Sequence, residues 1–480
     1  MKKNIIYNIL FLLVFVVMAC SEDFLKTEPT NKISNELALT NYTNIQKATN
    51  GIYAPLRASG HYGAYILIAP EVMADNVKRS SVKSSSRYVQ EFDLTIAPSV
   101  GYWTELWDSP YFVINATNNI INKITEGDFD KEEANEKQIN QLKGEALFVR
   151  ALCYFDLCRL FAHHYGIEDA SVAPGADGNG GHWGVPIILK SDISNYPQRS
   201  TVKDVYKQII SDLRSAENLL VFDRGKNFAS KNAARALLAR VYYYREDLDS
   251  ASIYAQKVIN TGEYSLADGK AEIVNYWIEE EADETIFQVY SNSTESHYAG
   301  AAGLVGLYNL DDAYYSDLVI TQNLFNLYDT AVDHRGKLFI IDKNNEIRTK
   351  KFLKKTGATN VYESNIKVLR VAEMYLIAIE ANIDNNYSEA LEMYNDFIET
   401  RGLPSVNTLS KTQLLQERRK ELAFEGHRLF DLAKAKANNV RSENNAKPLV
   451  TYPSHLYVLP IPNYEIERNN NISKQQNPGY

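Results

Sequence analysis

The residue with the clearest chemical signature is Cys20, which ends the run Val17-Met18-Ala19-Cys20. A branched aliphatic at −3, a small residue at −1 and then cysteine resembles the bacterial lipoprotein box. That processing needs a thiol at the new N-terminus to carry diacylglycerol, and small neighbours so that a peptidase reaches the bond. Lys2 and Lys3 precede an apolar stretch from Ile5 to Ala19, interrupted by Tyr7 and Asn8. The stretch is short for a bilayer span and has no stop-transfer flank, so residues 1–19 read as an export leader and 20–480 as the mature body. Ser21, Glu22 and Asp23 place acids directly after the anchor, resembling a signal for the outer surface of Gram-negative cells. The remaining cysteines, Cys153 and Cys158, stand five apart on one predicted helix. They share a face poorly, so two buried thiols are expected, and three cysteines in all are too few for a thiolate metal site.

The second chemical feature is tyrosine, with 32 residues against 18 Phe and 4 Trp. Tyrosine joins an apolar face to a hydroxyl that both donates and accepts, as a sugar ring joins an apolar face to a rim of hydroxyls. Hydrolysis of a glycoside would need two carboxylates across a cleft, and Asp311-Asp312 are adjacent loop residues, better read as solvated or turn-forming. The sequence has no His-Glu-x-x-His, no Gly-x-Ser-x-Gly elbow and no P-loop. His163-His164 lack a third ligand at useful spacing and fit a helix C-terminus. Asp177-Gly178-Asn179-Gly180 and Asp342 to Glu346 lack the full alternating acids of a calcium loop and read as turns. No cofactor is therefore expected, and a structural calcium ion would lack a full motif. The formal charge of −9 becomes −11 without Lys2 and Lys3, which disfavours nucleic acid as a partner.

Helical periodicity dominates the elements that must position these residues. Gln138 to Phe161 repeats apolar residues at three- and four-residue steps, as does Val202 to Leu220. Further helices are predicted at Ser230 to Tyr244, Leu248 to Asn260, Val368 to Ile383, Tyr387 to Thr400 and Thr412 to Lys436. Ala239 and Ala251 are 12 residues apart, and so are Ala378 and Ala390. Small residues at fixed points of a helical hairpin allow close approach, resembling the tetratricopeptide (TPR) repeat. Helical pairs are expected around 138–220, 230–260 and 368–400. Between them, 59–101, 162–199 and 261–315 are long irregular insertions, a length that usually marks function. The expected fold is mainly α: a TPR-like helical-hairpin scaffold carrying a loop-rich, irregular second layer.

Six segments in order along the chain resemble the SusD-like (RagB/SusD) family of outer-membrane nutrient-uptake lipoproteins. They are Trp103-Thr104-Glu105-Leu106-Trp107 with Ile114 to Asn118; Lys143 to Ala151 running on to Leu157; Lys231 to Tyr242; Leu369 to Leu376; Glu417 to Arg428 with Asp431-Leu432; and the tail Leu459-Pro460-Ile461-Pro462 through Gln476-Asn477-Pro478-Gly479-Tyr480. Lys434 stands where an arginine is common. The motifs read as scaffold: Glu421, Glu425, Arg428 and Asp431 are spaced to pair along one helix edge, and Gly426 suggests close approach to another backbone.

The resemblance implies a non-catalytic, cell-surface protein, anchored through acylated Cys20 to outer-membrane lipid. It implies capture of an oligosaccharide and its delivery to a SusC-like TonB-dependent transporter. Two rivals stand beside it: a helical-repeat interaction scaffold without glycan binding, and a surface glycoside hydrolase. Loop position and residue type nominate Asn76, Arg79, Arg87 and Tyr88 on the first insertion. Trp183 is nominated on the Gly-rich insertion, and Trp277, Tyr298, Tyr308 and Tyr314 on the aromatic one.

Overall fold

The computed structural model describes residues 38–480 apart from 84, 100, 102, 193–195, 293–299 and 311–314. Cys20, Tyr298, Tyr314 and the Asp311-Asp312 pair thus lie outside the described residues. Among the longer helices, α1 is Tyr42–Gly51, α2 Tyr65–Met73, α3 Trp103–Glu126, α4 Glu136–Phe161, α5 Val202–Leu219, α6 Lys231–Tyr244 and α7 Leu248–Ile259. After a loop-rich stretch come α8 Val371–Asn382, α9 Tyr387–Thr400, α10 Lys411–Glu421 and α11 Arg428–Lys434. No described helix is long and apolar enough to cross a membrane.

Helix starts follow side chains that satisfy the free N–H groups of a first turn. Asn135 and Gln138 form a reciprocal capping box at α4, and Ser410 and Gln413 do the same at α10. Thr201, Ser230 and Asp247 cap α5, α6 and α7. The helices pack in sequence: α3 on α4, α4 on α5, α5 on α6, α6 on α7, α7 on α8 and α8 on α9. Ala239, Ala251, Ala378 and Ala390 are all fully buried, so the repeated alanines do lie where neighbouring helices meet. Tyr242 on α6 stacks on Tyr254 of α7 with ring centroids 5.6 Å apart. Cys153 and Cys158 are buried free thiols on α4.

Two expected helices need correction. Residues Ile366–Arg370 form a strand (β6) rather than the first turn of a helix, and α8 starts only at Val371. The strand pairs antiparallel with Thr285–Val289 (β2), and this pairing satisfies backbone groups that helical periodicity alone would have assigned to α8. The stretch Thr412 to Lys436 is two helices, because Phe424 and Gly426 take left-handed backbone angles, φ +73° and +74°, between them. At Gly426 a Cβ would sit 2.7 Å from the Ile66 carbonyl oxygen, so the expected close backbone approach is real.

That break changes the charged motif. Glu421, Glu425, Arg428 and Asp431 do not pair with one another along one edge. Glu421 accepts from Arg335, Arg370 and Arg401; Glu425 pairs with Lys351 and Arg370; Arg428 pairs with Asp75; Asp431 pairs with Arg418. The kink turns successive charges toward partners on other elements. Burial disfavours charge on Glu421, but Arg401, Arg370 and Arg335 hold its carboxyl well below the ordinary range.

Candidate functional site

A small four-stranded sheet carries the loops of the first and third insertions. Its order is β1-β3-β5-β4, with β1 Val77–Arg79, β3 Leu318–Ile320, β4 Phe339–Ile341 and β5 Ile347–Thr349, all neighbours antiparallel. Side-chain bonds tie three connections together: the loop after β1, the segment before β3, and the β4–β5 hairpin turn. Each strand is only three residues long, so side-chain bonds must fix these loops.

Those bonds centre on acids that accept from backbone and hydroxyl donors. The Glu346 carboxylate accepts from the Ser80 hydroxyl at 2.6 Å and from the Ser81 N–H at 2.6 Å. Asp317 accepts from the Ser85 N–H at 3.0 Å and from its hydroxyl. Arg348, buried, ties the walls together: it donates to Glu346 at 2.8 Å, to Asp342 at 3.1 Å and to the Ser316 carbonyl. Asp342 folds the hairpin turn by accepting from the N–H groups of Asn344 and Glu346. Burial opposes charge on Asp342, but those N–H groups and Arg348 lower its pKa below the ordinary value. The turn predicted at Asp342 to Glu346 is thus a turn, and so is that at Asp177, whose carboxylate accepts from Asn179 and Gly181 N–H.

Between these walls opens a cavity of about 580 Å³, lined by Asn309, Leu310, Ser316, Ile341, Lys343 and Arg348 among others. Beside it the Tyr315 ring is 39% exposed and the Arg87 guanidinium lies 4.1 Å over its centroid. Ile340 and Ile341 are 41% and 58% exposed, large apolar surfaces left open at the same rim. The volume falls in the range that holds small ligands, and the lining mixes apolar faces with an amide, a hydroxyl and charges. Among the described residues no group of three His, Cys, Asp or Glu is placed to hold a metal ion.

The nominated residues divide between rim and foundation. Arg79 and Arg87 are half-buried on β1 and its following loop. Asn76 is buried: it donates to Glu71 at 2.7 Å and accepts from Arg419 at 2.8 Å, rooting β1 in the motif around α10. Tyr88 is buried edge-on to Tyr65, and Tyr308 is buried against Phe352 and Phe424, so both rings pack beneath the loops rather than open to solvent. Trp277 is buried in the ion network, with the Lys351 ammonium 4.5 Å over its ring. Trp183 sits apart on the second insertion, beside Arg199 and paired by a β-bridge to Thr201. As site residues, Tyr315, Asn309 and the hairpin positions Ile340 to Lys343 were not nominated from the sequence. The usable signal was a polar turn, Asp342 to Glu346, between two short β-branched runs, which marks a hairpin.

Comparison with known proteins agrees with this architecture. A family model described as starch-binding associating with outer membrane matches residues 23–243, and the SusD family model matches residues 339–480. The chain is 25% identical to SusD-like protein P2 of Formosa agariphila, with the whole of both chains covered. A crystal structure of a putative sugar binding protein from Bacteroides vulgatus superposes with a TM-score of 0.81 at 29% identity, over 92% of this chain and 99% of the other. A laminarin binding SusD-like protein superposes at 0.73 with 22% identity, over 92% and 100% of the two chains, and shares the fold. Motifs, helical stack and matched models at both ends agree, and the chain belongs to the SusD-like family.

Proposed function

We propose that this protein captures an oligosaccharide at the cell surface and delivers it to a SusC-like TonB-dependent outer-membrane transporter. The observation that carries the binding role is the 580 Å³ cavity: its walls are pre-set by Arg348 and its rim offers the exposed Tyr315 ring and branched side chains beside the Asn309 amide and charges. Rigid walls lower the ordering cost of binding, and a mixed lining suits a ligand with apolar faces and many hydroxyls. The names of the relatives support the same ligand class, since solved neighbours are described as sugar binding and laminarin binding. Delivery to a transporter and anchoring through Cys20 rest on the family and on the leader.

We read the site as binding without turnover. Asp342 is the one carboxylate among the described lining residues, and its bonds keep it ionised, which suits neither a general acid nor a facing pair. The test is calorimetry of the chain from Ser21 onward against laminarin, starch and other oligosaccharides, with reducing ends measured in parallel. Heat of binding without new reducing ends is expected. New reducing ends would make the protein a hydrolase, and silence across the panel would leave the helical stack as an interaction scaffold.

A further inference from the structure

A second cleft, of about 390 Å³, lies away from the four-stranded sheet. It opens between the first half of α3, residues 186–192 with Tyr196 and Pro197, and the short helix Asn463–Arg468. Its open rings are Tyr111 from α3, half-buried, and Tyr196 from the facing side, while Trp107 is buried and packs on Tyr111 with ring centroids 5.1 Å apart. Tyr196 is 52% exposed, a large open ring at the mouth. Polar groups, including Asn115, Lys190 and Glu465, complete the lining.

Both lips are fastened. The Tyr111 hydroxyl donates to the Pro186 carbonyl at 2.8 Å, which fixes its ring. Asn118 and Asn122 on α3 donate to the carbonyls of Ile188 and Leu189 at 2.8 and 3.0 Å. On the other side, Asn469 donates to the Pro197 carbonyl at 2.8 Å and Asn471 to that of Tyr196. The asparagines of the tail motif thus hold the ring-bearing segment open against α3. Two tyrosine rings, held before any ligand arrives, with amide and carboxyl groups around them, are the build expected for a polyhydroxylated ring. Asp108 and Glu465 together disfavour an anionic ligand: burial, and then the charge of Asp108, already raises the Glu465 pKa.

We propose that this cleft is a second saccharide site, for neutral sugar units of the same polymer whose first units occupy the loop cavity. The assignment of sugar as the ligand rests on the function proposed above. Two sites on one chain would bind a polymer long enough to reach both more tightly than a short oligosaccharide, since the second contact is intramolecular.

The experiment compares laminarin and starch with their short oligosaccharides, by calorimetry on five chains: wild type, Arg87→Ala/Tyr315→Ala, Tyr196→Ala, Asn115→Trp, which fills the cleft from α3, and Tyr196→Ala added to the loop double variant. Tyr196→Ala and Asn115→Trp are expected to weaken polymer binding by about tenfold or more without shifting the thermal midpoint. The loop double variant is expected to retain weaker binding, which Tyr196→Ala added to it removes. If both cleft variants bind polymer as wild type does while the loop variant loses all binding, the second site is refuted and the loop reading stands. If the cleft variants lose all binding and the loop variant loses none, the cleft stands and the loop reading fails. A wild-type chain that binds none of the probes overturns both.

Discussion

At the scale of single residues, two buried carboxyls respond to pH in opposite senses. Burial pushes Glu71 up to about 7 from 4.5, against hydrogen bonds from Asn76 and nearby N–H groups that lower it. The folded chain therefore holds a proton on Glu71 that the unfolded chain has released, and stability falls as pH rises from 4.5 to 7. The loss is on the order of 3 kcal/mol for the single group. Glu71→Gln is expected to flatten that slope in denaturant titrations run across this range. Glu421 has the opposite sign. Its folded pKa lies below the unfolded one, so its contribution is full above 4.5 and is lost as pH falls through the folded value. Glu421→Ala leaves Arg335, Arg370 and Arg401 without that shared carboxylate and should cost about 3–5 kcal/mol at neutral pH, read from the urea midpoint. None of these partners is adjacent in sequence. The motif from Glu417 to Arg428 was legible as scaffold, whereas its partners on β6 and in the loops were not. Residue spacing reports neighbours along one helix and is blind to those the tertiary fold brings in.

At the scale of elements, the helical hairpins were legible almost to the residue. Tyr387–Thr400 has the expected bounds, and Val202–Leu219 falls one residue short of them. Long apolar periods and capping side chains act locally, so sequence carries them directly. The errors fell where a local pattern met a tertiary demand: the β2–β6 pairing displaced the start of α8, and a left-handed turn divided α10 from α11. At that turn, Gly426→Ala should destabilise the fold by roughly 1–3 kcal/mol, because φ is +74° and the new methyl would meet the Ile66 carbonyl at 2.7 Å. A thermal melt of this variant beside Gly51→Ala checks the claim, since Gly51 has open space at its Cβ position and should change little. The candidate site was legible as loops but not as residues. Tyr88, Tyr308 and Trp277 share the residue type and insertions expected of ligand contacts, yet they are buried in packing. Whether an aromatic on a long loop faces inward is set by the strands beneath it, which are three residues long and leave little trace in sequence.

At the scale of the whole molecule, a stack of paired helices supports a thin sheet, and the sheet holds a cavity whose walls are fixed before ligand arrives. We propose in addition that acylated Cys20 tethers the chain to the membrane. Cys20→Ser is expected to move the protein from the membrane pellet to the soluble fraction on cell fractionation, with its thermal midpoint unchanged; retention in the pellet would contradict the tether. The central claim is that the loop cavity receives sugar. The most direct measurement is a crystal structure of the protein with whichever oligosaccharide of the panel binds most tightly. Sugar rings are expected in the cavity lined by Asn309, Ile341 and Arg348, with one ring against Tyr315 or the exposed isoleucines. A fully bound oligosaccharide that leaves this cavity empty would contradict it.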